Sequence, residues 1–303
     1  MIVRPRPHWL RLLFVRRGSL VHRIYGQQLF VLALSCAVVW AQEHGLLVHD
    51  RLTTGPFSLM GVALAIFLGF RINASYDRFW EARKQWGAVL VAARNLARLA
   101  LTLPGDAQAV RPFVLGIAGF AAAMRNQLRA LPAAQGCEEL LPAELCARID
   151  GARSAPALVL LWLGQWMQAH RRVQPCDTAA ALQMEVALDA LSMAHGSCER
   201  IANTLLPFSY SVILHRSAYL YCTLLPFGLV SSTGWWTPLV ATFVSYTFFA
   251  LEAVSDEIEE PFGLATNDLA LDAMVVGIEA SLREMLGEAP PPAPRPDRHC
   301  VLT

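Results

Sequence analysis

The chain has 303 residues; 55% are apolar, 16% are charged, and the formal net charge is +1. A charged fraction this far below that of soluble domains excludes a disordered chain and argues against a fully soluble globule. The balanced charge also removes bulk electrostatics as a reason to bind nucleic acid.

The first predicted element is a membrane span at 24–42, a stretch without a charged residue and close to the ~20 residues that cross a bilayer as a helix. Arg4, Arg6, Arg11, Arg16, Arg17 and Arg23 precede it. An Arg-rich leader before an apolar core, with Val39-Trp40-Ala41 at its end, also resembles a cleavable signal peptide. The leader is long for that role, and Trp9, Leu10, Leu12, Leu13, Phe14 and Val15 make part of it amphipathic, so an uncleaved span is expected.

The second span is expected at 55–76. Thr54 offers a cap, and Pro56 suits the first helical turn. The next proline is Pro104. Val62, Ile66 and Phe70 recur every four residues and stack on one face, with Gly61, Ala65 and Gly69 as a small-residue ridge beside them. Small residues let neighbouring membrane helices approach. By spacing alone the apolar stripe either lines an axial constriction or faces lipid or core. Past Phe70 the sequence turns polar and aromatic, from Arg71 through Trp86, as at a membrane interface.

Residues 77–205 read as a large helical region outside the membrane. Helical spacing covers 81–103, ending at Pro104-Gly105, and 111–131, with Pro112 in its first turn and Pro132 as its stop. Residues 155–167 make a helix too short to span, and 178–194 another amphipathic one. The third and fourth spans are expected at 209–230 and 235–252, divided by the turn chemistry of Ser231-Ser232-Thr233-Gly234. Residues 253–288 return to the helical region, and 289–303, with five prolines in 289–296, are expected to be a disordered tail. Arginine crowds the segment before span one and the segment after span two. The loop between them carries only Arg51, so both termini and the large helical region should be cytoplasmic.

Seven cysteines at irregular spacing, without a C-x-x-C, point to reduced thiols. His195, Cys198 and Glu199 lie about one helical turn apart, but so short a cluster is weak support for a metal. No G-x-S-x-G, Walker A, G-x-G-x-x-G or H-E-x-x-H pattern is present, so an enzyme is not expected.

The run Phe67-Leu68-Gly69-Phe70-Arg71-x-Asn73-Ala74-Ser75-Tyr76-Asp77-Arg78-Phe79-Trp80-Glu81-Ala82-Arg83-Lys84-x-Trp86-Gly87 resembles the signature of bacterial bestrophin homologues. Cys198-Glu199-Arg200-Ile201, Leu206-Pro207-Phe208 and Glu259-Glu260-Pro261-Phe262-Gly263 with Asn267-Asp268 extend the resemblance over roughly 3–285. It implies an all-α homopentameric ion channel with four membrane helices and a large cytosolic helical region per subunit, in agreement with the spans counted above. It implies an apolar neck at Val62, Ile66 and Phe70, and a cytosolic aperture at Leu188, counted back from Pro207, with Met184 and Leu191 one turn away on that face.

Animal relatives carry a calcium clasp after the Pro-Phe-Gly motif. Two of its carboxylates fall here at Ala265 and Asp268. Calcium prefers several carboxylates, and alanine supplies none, so Asp268 is a residual position and no cofactor or metal is expected. The acids before the motif, Asp256, Glu257, Glu259 and Glu260, read as solvated helix-end charge. Chloride is the family's default ion. Glu185 and Asp189, however, share one face of the Leu188 helix, and a five-fold ring of such pairs would favour small monovalent cations such as sodium, which tips the reading slightly that way. The rival is a non-conducting membrane scaffold or transporter subunit. The expected partners are further copies of the chain, the lipid bilayer and small ions, and the expected location is the bacterial inner membrane.

Overall fold

The computed structural model describes residues 1–2, 20–46, 54–102, 107–173, 178–298 and 300–303. The leader's amphipathic piece, the Arg51 loop, Pro104-Gly105 and Cys176 lie outside these residues. Nine α-helices are found among them: α1 Val21–Glu43, α2 Thr54–Leu101, α3 Ala107–Leu128, α4 Ala143–Ile149, α5 Ala155–Val173, α6 Thr178–Asn203, α7 Phe208–Thr233, α8 Thr237–Glu259 and α9 Leu271–Met285. A 3₁₀ turn, Gly234–Trp236, joins α7 to α8. The described backbone pairs as strand only at one isolated bridge, Ile2 with Val301.

The chain divides into two compact units. One comprises 5–79 and 205–260, and therefore α1, the first half of α2, α7 and α8. Here α1 packs on both α7 and α8, and α7 on α8. Ile24 and Val31 of α1, Leu64 and Leu68 of α2, Leu214, Cys222 and Leu225 of α7, and Phe248 and Phe249 of α8 form one buried cluster. Three helical stretches are long and apolar enough to cross a membrane: Val21–Glu43, Gly55–Leu101 and Phe208–Glu259. The last folds into a hairpin where Gly234 adopts a positive φ of 51°, at the turn expected from Ser231 onward. In such helices the association comes from close packing rather than from hydrophobic transfer. Gly61 illustrates it, since a Cβ there would lie 2.6 Å from the Tyr221 hydroxyl.

The other unit comprises 1–4, 80–204 and 261–303. Within it α3 packs against α5, α6 and α9, and α5 against α4 and α6. Phe113, Phe120, Ile117, Leu163 and Leu191 are fully buried. At Gly116 a Cβ would come 2.4 Å from the Trp162 ring. Asp272, in the first turn of α9, accepts from Arg125 Nη1 at 3.1 Å and Arg129 Nη1 at 2.7 Å. A carboxylate there also complements the helix dipole.

Two expectations are corrected and one helix is added. Pro112 sits inside α3 rather than in its first turn, because the helix begins at Ala107. The seven-residue α4 follows Pro142 and was not foreseen. The tail is extended, but its end is tied down: Leu302 donates to Met1 O at 2.8 Å, Ala273 to Thr303 O at 2.9 Å, and the Met1 amino group to Leu302 O at 2.6 Å.

Candidate functional site

α2 is one continuous helix of 48 residues, about 70 Å long at 1.5 Å per residue. Its inward residues alternate by four and three: Leu64, Leu68, Arg71, Ser75, then Ala82, Trp86, Val89, Ala93, Leu96 and Ala100 are all buried. The opposite face of the first half keeps Val62 at 60%, Ile66 at 52% and Phe70 at 60% exposure, while Leu64 and Leu68 on the packed face are at 4% and 0%. Val62, Ile66 and Phe70 thus form one uncovered apolar row. The small-residue ridge divides: Gly61 receives Tyr221, whereas a Cβ on Gly69 would meet nothing within 4 Å.

Immediately after Phe70 the helix is bonded to α8. Arg71, 3% exposed, donates to Asp256 Oδ1 at 2.5 Å and to Glu259 Oε2 at 3.4 Å. Ser75 Oγ and Ser255 Oγ are 3.0 Å apart, and Arg78 Nε donates to Glu259 O at 2.7 Å. The Leu206 N–H reaches Glu259 Oε1 at 3.2 Å. Asp256 and Glu259 are therefore ion-pair partners of a buried arginine and not merely solvated helix ends, and Glu257 is itself buried. A buried charge persists only with such partners. No local pattern signals this bond, because Arg71 and Asp256 are 185 positions apart.

On α6, Leu188 is half-buried and its Cδ2 lies 3.7 Å from where a Gly164 Cβ would stand. It lines an open cavity of about 700 Å³ with Glu185 and Asp189 from its own helix and Gln165, Gln168 and Arg172 from α5. Both acids are thus brought beside Leu188, with an arginine in the same cavity. Met184 and Leu191 are 3% and 0% exposed, so the two neighbours on the expected face are core residues. A separate exposed row on α6, Leu182, Val186 and Met193, escaped sequence analysis; its spacing of four and seven was the available signal.

Asp268 is buried, and its Oδ2 accepts the Ala265 N–H at 2.7 Å, so this carboxylate braces its own turn. Glu199 accepts from Gln127 Nε2 at 2.5 Å and lies 3.4 Å from His195 Nε2. Burial lowers the His195 pKa, with Glu199 opposing it, and pushes the Cys198 thiol up to about 12, with Glu81 adding to the effect. Among the described residues no three His, Cys, Asp or Glu side chains are grouped to hold a metal, and the six described cysteines are free.

The sequence profile of bacterial and fungal bestrophin proteins matches residues 1–284. A voltage-dependent anion channel-forming protein of Ralstonia nicotianae is 45% identical over 291 residues, 95% of each chain. The voltage-dependent anion channel-forming protein YneE of Escherichia coli K12 is 40% identical over 304 residues, the whole of both chains. The crystal structure of a bacterial bestrophin homologue from Klebsiella pneumoniae superposes with a TM-score of 0.82 at 39% identity, covering 88% of this chain and all of that one.

Proposed function

The chain belongs to the bacterial and fungal bestrophin family, and on that premise we propose that it is a subunit of a homopentameric ion channel. Each subunit crosses the bacterial inner membrane four times, with both termini in the cytoplasm. Five copies of Val62, Ile66 and Phe70 form the neck, and Leu188 the cytosolic aperture. The observation that carries this reading is the uncovered apolar row on α2, which runs into the family signature at Phe70. An apolar ring controls ions by denying them hydration, and it dewets when narrow.

Monovalent anions, chloride first, are the proposed cargo; the support is the anion-channel naming of relatives at 40–45% identity. A second reading, conduction of small monovalent cations, is favoured by Glu185 and Asp189 lining one cavity with Leu188. Arg172 in that cavity weakens it. Calcium is proposed to have little influence, because Asp268 is committed to Ala265 and the aligned partner position is an alanine. No enzymatic activity is proposed.

Purified protein in liposomes under a salt gradient tests this. Flux with a reversal potential near the chloride equilibrium value is the expected outcome. A potential near the cation value would select the second reading, and absence of flux would return the chain to a scaffold or transporter subunit.

A further inference from the structure

A groove of about 450 Å³ lies within the unit formed by 1–4, 80–204 and 261–303, between the second half of α2 and α9. Its α2 wall follows helical spacing: Trp80, Arg83, Lys84, Gly87, Leu90 and Arg94. Its α9 wall is Met274, Gly277 and Ile278. Three lining residues are cationic and none is acidic. Lys84 is paired with Glu81 at 2.8 Å. Arg83 and Arg94 are exposed, and among the described residues neither has an ion-pair or hydrogen-bond partner. The space is open at both glycines, since a Cβ on Gly87 or Gly277 would meet no atom within 4 Å.

A second observation points to a missing ligand. Trp86 lines the groove, is 2% exposed, and among the described residues its Nε1 has no hydrogen-bond partner. Native proteins rarely leave a buried donor unmatched. An apolar slot with free guanidinium groups and a spare N–H suits a molecule that is anionic at one end and hydrocarbon elsewhere. Planar guanidinium groups take phosphate bidentately. Leu90, Met274 and Ile278 take the hydrocarbon, and the half-exposed Trp80 ring covers it.

We propose that this groove binds an alkyl phosphate, the phosphate being taken by Arg83 or by Arg94, which stand about 16 Å apart along the α2 wall. Two sources supply that chemistry: a soluble alkyl phosphate, or the headgroup end of an anionic phospholipid. The site is independent of whether the protein conducts.

The test is calorimetric binding of hexyl phosphate to the full-length assembly in nanodiscs of phosphatidylcholine, repeated in nanodiscs containing phosphatidylglycerol. Saturable binding of one hexyl phosphate per subunit is expected in phosphatidylcholine, with inorganic phosphate weaker by about tenfold or more because it leaves the apolar wall unused. One of Arg83→Gln and Arg94→Gln, the variant at the end that holds the phosphate, should weaken binding about tenfold or more, as expected for loss of a charge-assisted bond. Gly277→Leu should abolish it by filling the groove, and the helical substitution favours folding. If phosphatidylglycerol suppresses hexyl phosphate binding and the same arginine variant reduces the phosphatidylglycerol retained on purification, the source is lipid. Equal binding in both nanodiscs indicates a soluble ligand. Absence of saturable binding, or binding unchanged in all three variants at unaltered assembly size, overturns the proposal.

Discussion

At the scale of single residues, the charges that matter are those the chain buries. Asp272 shows how such a group governs stability. Burial opposes its charge, but Arg129 and Arg125 beside it outweigh that and hold the carboxyl below its usual range. The stabilisation is therefore complete above the unfolded value, about pH 3.9, and is lost as pH falls through the lower folded value. Asp272→Asn should cost about 1–3 kcal/mol near neutral pH. That is below a fully buried pair, because 36% of the Asp272 side chain meets solvent. Urea unfolding of both proteins from pH 7 to pH 2.5 checks it. The difference should hold down to about pH 5 and then shrink; a gap independent of pH would contradict the assignment. Individual residues were the hardest thing to read from sequence. Val62, Ile66 and Phe70 were visible by their spacing, but the partners of Arg71 and Arg129 are 185 and 143 positions away and no local pattern announces them.

Among elements, α2 carries most of what sequence could reveal. No proline interrupts it between Pro56 and Pro104, and its buried residues repeat by fours and threes from Leu64 to Ala100. Val62, Ile66 and Phe70 lie on the face this packing leaves uncovered. Replacing Val62, Ile66 and Phe70 together with alanine should widen and wet the proposed constriction. Liposome flux is expected to rise severalfold while the fold stands, because the buried positions are untouched; unchanged flux would count against these residues as the neck. The hairpin of α7 and α8 was legible from Ser231 to Gly234. By contrast α4, at seven residues, is too short for periodicity to register. The ordered tail was missed because five prolines speak only of extension, and say nothing of the hydrogen bonds that residues 301–303 make with Met1, Ile2 and Ala273.

For the whole molecule, the proposed orientation rests on arginine placement. With single-cysteine variants in sealed cells, Asp50→Cys should react with an impermeant maleimide from outside, and a cysteine at Glu139, on an exposed surface of the helical region, should not; the reverse pattern would invert the topology. Neither compact unit is a continuous stretch of chain, since each is built from separated segments. That arrangement has a consequence for synthesis. Asp272 is made 143 residues after Arg129. At 5–20 residues per second this is an interval of about 7–29 seconds. Through that time α3 exists with two arginines awaiting their carboxylate, while α1 and the first half of α2 have already been made and α7 and α8 are made within the interval. The protein is thus finished from its end backwards: the last helix to emerge closes a unit whose other helices have been waiting for it.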